Sequence, residues 1–352
     1  MLSRALRGQA LTAVPHSCAK QALSTAAVRQ AKAPSMGDIN PSRAQIDSFN
    51  RKQHEFRERL AEAQKQQGER ALSATFSASG KSGSSSPATD AGTSAEAKQR
   101  EADRKSGPLS NLIYGTKEGR EMEAQMEASF SQVLARGKYV HSIVFHTVKP
   151  EKTDEYIELV GHFYPKMANT PENKVHLVGS WRTEVGDCDT FVHIWEYQKY
   201  EGYHQSRYSI SHHPEFADFD SRLKKLITSK KISLMQEFSF WPTTPPRQLG
   251  GIFELRSYVL HPGNLLEWET HWRRGLAARR NVMEGVGAWF VQIGELNTVH
   301  HLWQFANLEE RRERREKSWM VEGWSDTVHK TVPLIQNMQS RILVPMPWSP
   351  VA

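Results

Sequence analysis

β-Branched and aromatic side chains crowd residues 141–148, and Lys149-Pro150 ends the run. That composition predicts a strand, because such side chains suit a pleated surface and proline cannot donate to the next rung. Tyr156, Leu159, Phe163 and Met167 then recur at three- and four-residue spacing, one face of a helix. Strands are predicted over residues 175–184 and 190–198, joined at Gly186-Asp187. In such a hairpin Trp181 and Trp195 are expected roughly opposite each other, as a cross-strand aromatic pair. A helical stretch follows, broken near His213-Pro214 and resumed through Phe216, Phe219, Leu223 and Leu226. The last strand of the set is predicted over residues 232–240, with Trp241-Pro242 as its stop.

The same order then returns. Residues 252–260 read as a strand and His261-Pro262-Gly263 as its break, and Leu265, Trp268, Trp272 and Leu276 mark a helix. A hairpin is predicted over residues 287–305. Residues 311–316, Arg-Arg-Glu-Arg-Arg-Glu, predict an exposed helix laced with opposite charges. A helix carrying Val332, Leu334, Ile335 and Met338 is expected next, then a closing strand over residues 341–344 ended by Pro345-Met346-Pro347. Gly179, Trp181, Gly186, His193 and Trp195 have counterparts in Gly287, Trp289, Gly294, His301 and Trp303, all 108 positions later. A shared offset of this kind marks a tandem duplication. Each copy has the order β-α-β-β-α-β, so the fold class is α+β with two tandem ferredoxin-like repeats. Two such sheets, each with helices on one face, leave two bare faces that pressing together would hide. Pattern alone leaves open whether the sheets close into a barrel.

The folded mass is confined to part of the 352 residues. All ten Trp lie at or after Trp181. Residues 1–35 carry Arg4, Arg7, Lys20 and Arg29 with no acid before Asp38, the amphipathic, basic composition of a mitochondrial transit peptide. Residues 36–109 are expected to be a disordered or charged helical linker. Within it, residues 44–72 are highly charged with Phe49, Phe56 and Leu60 as the few large apolar side chains, and residues 73–107 are rich in Ser, Gly, Ala and Thr. A lead-in helix is expected over residues 110–138, repeat one over 139–246 and repeat two over 247–352. The net charge of +7 is spread among alternating acids and bases. Nucleic-acid binding needs cations gathered on one face, so no nucleic acid is expected. Cys18 and Cys188 cannot build a disulfide framework, which suits a reducing compartment such as the matrix. No apolar run reaches the roughly 18 residues of a transmembrane span.

Several long stretches carry a family resemblance: Leu177-Val178-Gly179-Ser180-Trp181, His193-Ile194-Trp195, Glu237-Phe238-Ser239-Phe240-Trp241 and Tyr258-Val259-Leu260-His261-Pro262-Gly263. Gln292-Ile293-Gly294-Glu295-Leu296, Val299-His300-His301-Leu302-Trp303 and Thr331-Val332-Pro333-Leu334-Ile335-Gln336 continue it. From about residue 139 to the C-terminus the chain resembles the NipSnap proteins of mitochondria. The resemblance implies a mitochondrial location and a dimeric α/β-barrel fold, built here within one chain. It also implies an association with mitochondrial quality control or trafficking. It implies no established reaction.

Alternation nominates a candidate site. Glu254, Arg256 and Tyr258 share one face of their strand, opposite Phe253, Leu255 and Val259. With the apolar set under helices, the polar trio is expected to line the barrel interior, where Glu254 pairs Arg256. Repeat one places Ser142, Val144 and His146 at the equivalent positions. Glu254, Arg256, Tyr258 and His146 together would hold an anionic or polar-headed ligand; without a ligand they make a buried ion pair. His193 and His301 share strand faces with Trp195 and Trp303, and related barrels include haem and cofactor-free oxygenase sites. Repetition at equivalent positions favours instead a role in fixing each hairpin. His212-His213 sits in a loop with no acid or thiol arranged beside it, so neither a metal site nor a resident cofactor is expected. The leading reading is a non-catalytic binding or scaffold protein that contacts other mitochondrial proteins and forms homo-oligomers. The alternative is a barrel that binds or oxidises a small hydrophobic ligand, haem included. An enclosed cavity lined by Glu254, Arg256 and Tyr258 would favour the second, and an interior filled with Trp and Phe the first.

Overall fold

A computed structural model describes residues 33–79 and 139–352. The expected lead-in helix, residues 1–32 of the transit segment and residues 80–109 of the linker lie outside the described residues. In chain order the elements are α1 (Arg43–Ser79), β1 (Tyr139–Val148), α2 (Thr153–Asn169), β2 (Val175–Val185), β3 (Thr190–Gln198), α3 (Lys199–Ser211), α4 (Phe216–Leu226) and β4 (Ile227–Glu237). Repeat two continues with β5 (Ile252–Leu260), α5 (Leu265–Arg280), β6 (Glu284–Ile293), β7 (Thr298–Phe305), α6 (Leu308–Trp319), α7 (Trp324–Thr331) and β8 (Ile335–Pro345). The second helix of each copy is therefore two helices. In repeat one the break falls at His213-Pro214 as its proline requires.

The strands form one closed antiparallel barrel in the order β1-β3-β2-β8-β5-β7-β6-β4. Each copy contributes a four-stranded sheet, β4-β1-β3-β2 or β8-β5-β7-β6. Closure comes from pairing their edges, β2 with β8 and β4 with β6. Every strand thus has a neighbour on each side, with β2 joined to β8 over residues 181–185 and β4 to β6 over residues 234–237.

The side chains sort into three layers. Ile143, Ile194, Phe253, Leu255, Leu302 and Leu343 point into the barrel with Trp181 and Trp289 and are almost wholly buried. Tyr156, Phe163 and Leu223 pack on the outer face of sheet one with Trp195, and Trp268, Trp272 and Trp324 on that of sheet two with Trp303. The two bare faces have become the inside of the barrel.

β-Bulges explain where simple alternation fails. The β2–β3 register shifts between Leu177 and Gly179, so Trp181 lies across from Val192 and Trp195 across from Leu177. The expected Trp181–Trp195 pair does not form. One extra residue switches the parity of β2, sending Trp181 into the barrel while Trp195 stays outside against Tyr164, 5.0 Å between ring centroids. The same irregularity recurs in β6 between Gly285 and Gly287. At both bulges the glycine is needed, because a Cβ on Gly179 would sit 2.3 Å from the Trp181 ring and one on Gly287 2.4 Å from the Trp289 ring. Two strand limits also differ from expectation. β4 starts at Ile227, its first half hidden in the sequence by the polar run Thr228-Ser229-Lys230-Lys231, and it ends at Glu237. Ile335 and Met338 belong to β8, and the helix before it ends at Thr331, just ahead of Pro333. Met338 is exposed, which is how an apolar residue on an outward edge imitates helical spacing.

α1 docks by its first half. Ile46 and Phe49 are buried against Leu249 and Ala306, and Phe56 packs on the same cluster. Gln53 and Arg57 both donate to Glu284, which also pairs the buried Arg247.

Gly287→Ala is expected to displace the Trp289 ring and to destabilise the fold by about 1–3 kcal/mol, an overpacking cost. Urea unfolding of the variant checks this; an unchanged midpoint would mean that the bulge has room to spare.

Candidate functional site

β5 carries the predicted trio, yet Phe253 and Leu255 face the barrel interior, so Glu254, Arg256 and Tyr258 point outward beneath the repeat-two helices. The expected orientation is inverted. The physical reason is supply of partners: the barrel interior is lined by apolar side chains, whereas α6 and β8 bring hydrogen-bonding groups to the outer face. Glu254 is fully buried and accepts from Arg256 Nη1 at 2.8 Å, from Arg311 Nε and Nη2 at 2.9 and 2.8 Å, and from Ser340 Oγ at 2.7 Å. Arg256 Nε also donates to the Tyr258 hydroxyl at 2.6 Å. Burial opposes ionisation of Glu254, but Arg311, Arg256 and Ser340 outweigh it and hold the carboxyl down at about 2. Arg311 was hidden in the sequence within a helix expected to be exposed. Its signal was there in the three- and four-residue spacing of Glu310, Arg311, Arg314 and Arg315, of which Glu310 is buried. Above this network Arg279 lies 3.9 Å over the Trp324 ring, and burial pushes its guanidinium down to about 9.

His146 does not join that group. It lies in the helical layer of repeat one, in a buried chain of hydrogen bonds. His146 Nδ1 meets the Tyr156 hydroxyl at 2.8 Å, the same hydroxyl meets His193 Nε2 at 2.8 Å, and His193 Nδ1 meets Ser180 Oγ at 2.8 Å. Burial pushes His146 down to about 3 and His193 well below its ordinary value, and it drives the Tyr156 phenol up. All are held neutral at physiological pH, so this chain is a structural tie between β1, α2, β3 and β2. His301, the counterpart of His193, is surrounded instead by rings. Trp272 stacks on it at 4.5 Å, and Tyr258, Trp241 and Trp268 lie at 5.2–5.4 Å. Neither of its ring nitrogens has a hydrogen-bond partner among the described residues. A haem plane on His301 would need the space these rings fill, and both nitrogens of His193 are already engaged. Neither histidine fits a haem ligand. His300 faces the other way, into the barrel, and meets Ser257 Oγ at 2.9 Å.

Space for a ligand opens elsewhere. A cleft of about 90 Å³ lies between sheet one and helices α2–α4. Phe163, Tyr164, Val144 and Trp195 wall it, and Arg207, Asp220 and Lys230 add charge. Burial, then the nearby Arg207, lowers the Lys230 ammonium below its ordinary value. None of the nominated residues Glu254, Arg256, Tyr258, His146, His193 and His301 lines it; Ser142 and Val144, the repeat-one equivalents of Glu254 and Arg256, do. A second polar group sits at one mouth of the barrel, where His141, Glu196 and Glu237 approach one another closely. His212 and His213 are tied to their own loop through Tyr208 O and Glu215 N.

Glu254 makes stability pH-dependent with a definite sign. Its folded value lies below the ordinary 4.5, so its contribution is present above 4.5 and lost as pH falls toward 2. The stability gap between the wild type and Glu254→Gln is expected to narrow by about 3 kcal/mol across that window, read by urea unfolding at stepped pH. A constant gap would mean that the carboxylate is not held by its arginines.

The NIPSNAP family model matches residues 142–242 and again 253–350, one match per barrel half. The chain is 39% identical over 213 residues to protein NipSnap homolog 1 of Danio rerio, covering 60% of this chain and 76% of that one. It is 38% identical to protein NipSnap homolog 2 of Homo sapiens, covering 60% of this chain and 74% of the relative. Among solved structures it is similar to an uncharacterized NIPSNAP-like domain protein from Burkholderia xenovorans, at 38% identity and a TM-score of 0.26, covering 27% of this chain and 84% of that one. Two family-model matches spanning both barrel halves, together with these relatives, establish that the chain belongs to the NIPSNAP family.

Proposed function

We propose that this chain is a non-catalytic binding protein of the mitochondrial matrix, acting through contacts with other mitochondrial proteins in quality control or trafficking. The observation that carries this reading is the filled barrel. Trp181, Trp289, Phe253 and their neighbours occupy the interior that a ligand barrel would keep open. The most deeply buried titratable groups are locked as well. Burial pushes His300 down to about 3 and His301 well below the ordinary histidine range, and Glu254 is committed to two arginines. None of these is poised near neutral pH, as a general acid or base would need. The acid-free, arginine-bearing first 35 residues support mitochondrial import, and α1 places the N-terminal arm against one end of the barrel.

The repeat-one cleft favours a second reading, a small ligand with an apolar body and an anionic head. Its aromatic walls would take the body, and Lys230 and Arg207 the head.

A fusion carrying a fluorescent protein at its C-terminus is expected to enter mitochondria, and deleting residues 1–35 to leave it outside; import of the deleted form would remove the transit reading. Native mass spectrometry of protein purified gently from its own mitochondria separates the two functions. A bare polypeptide mass with co-purifying protein subunits supports the binding protein. A reproducible organic mass increment, lost on denaturation and absent in Val144→Trp, would place a ligand in the repeat-one cleft and overturn the proposal.

A further inference from the structure

His141, the third residue of β1, faces into the barrel, where it is completely buried, and its ring lies 5.9 Å from that of Trp289. Repeat two shows what the fold itself wants at this position. Ser142 lies opposite Trp195, and Glu254 lies opposite Trp303, so His141 corresponds to Phe253. Phe253 packs on Trp181 at 5.5 Å, just as His141 does on Trp289. By the same registers Glu196 corresponds to Gln304, and Glu237, two residues beyond Met235, to Pro345. One copy closes its end of the sheet with Phe, Gln and Pro. The other spends the same positions on an imidazole and two carboxylates, which folding does not require.

These three groups are arranged toward one point. Nε2 of His141 and Oε2 of Glu196 are 3.1 Å apart, and one ligand atom from each of His141, Glu196 and Glu237 lies within 4.8 Å of the others. Metal–ligand bonds of about 2.0–2.2 Å in a tetrahedral site place ligand atoms roughly 3.3–3.6 Å apart, so small rotations suffice. The carboxylates come from neighbouring segments already held in place. Glu237 Oε2 accepts from both the backbone N–H and the hydroxyl of Thr243 at 2.9 Å, and Trp289 Nε1 donates to that hydroxyl at 3.0 Å. Outer partners of this kind orient metal-binding carboxylates. Glu196 and Glu237 are part-exposed, giving an ion a route in. On β2, His176 lies across from Glu196 in the register and is exposed.

We propose that His141, Glu196 and Glu237 form a binding site for a first-row divalent cation at the mouth of the barrel. Mixed imidazole and carboxylate donors suit zinc and its neighbours. Such an ion ties β1, β3 and β4 together at the end where α1 and the C-terminal segment also gather. The site does not depend on the function proposed above.

The test is titration of the chelator-stripped full chain with zinc alone, followed by calorimetry and by metal content after gel filtration. One ion per chain is expected. His141→Phe borrows the repeat-two residue and keeps the packing on Trp289, so its chelator-treated melting temperature should match that of the wild type. In His141→Phe and Glu196→Gln, zinc affinity should fall by more than about 100-fold, beyond the roughly 10- to 100-fold that losing an outer partner costs. Thr243→Val should fall within that smaller range. Were His141→Phe to misfold, Glu196→Gln and Glu237→Gln carry the comparison. Substoichiometric zinc on the wild type would overturn the proposal. So would unchanged affinity in these variants, or a loss seen only in His213→Ala, which would place the ion on surface histidines.

Discussion

A four-stranded sheet with helices on one face is unfinished in two ways, since it has a bare apolar face and two unpaired edges. Pairing β2 with β8 and β4 with β6 resolves both together. Where these edges pair, over residues 181–185 and 234–237, their backbone groups find partners, each of which would otherwise carry a penalty of about 1–3 kcal/mol if buried unpaired. The two faces become one interior, filled from all eight strands. This closure depends on the duplication, because each copy supplies the edges that the other lacks. It also decides, for every strand, which side is inside.

Much of the chemistry follows from that decision. Because Phe253, Leu255 and their neighbours fill the interior, the polar residues Ser142, His146, His193, Glu254, Arg256 and His301 fall in the layers between sheet and helices, while His141 and His300 face inward. In those layers each copy has settled its polar groups differently. Repeat one links His146, Tyr156, His193 and Ser180 in a neutral hydrogen-bonded chain, while repeat two gathers Glu254, Arg256, Arg311 and Ser340 around one carboxylate. His193 and His301 occupy equivalent positions, yet one is fully hydrogen-bonded and the other is packed among indoles. Duplication preserves position more faithfully than chemistry.

The barrel mouth shows the same divergence. On the repeat-two side, Arg247 and Arg57 pair with Glu284, and Gln53 completes the set, so α1 is fastened there by charge as well as by Phe49 and Ile46. On the repeat-one side the position across from Glu196 is His176, the counterpart of Glu284, with His141 on the other flank. One half of the mouth is closed by a docked helix and the other by a cluster of imidazole and carboxylate.

The duplication, the α+β order of each copy and most strands were legible in the sequence, because they rest on local features: the shared offset, the helical spacing, and the Gly-Asp and Pro stops. The hydrophobic alternation of β5 was legible too, but not its sense. Alternation says that Glu254 and Phe253 face opposite ways; only closure of the barrel says that Phe253 is inside and Glu254 lies beneath α6. The Trp181–Trp195 expectation failed for a related reason. A bulge adds one residue and reverses parity without leaving a strong mark in composition. Arg311 and Ser340 reach Glu254 from 57 and 86 residues away, and Glu196 meets His141 across 55. The sequence determines the repeating elements by local propensity and period. Which distant groups share a site is decided by tertiary structure, because it depends on the order and register in which those elements pair.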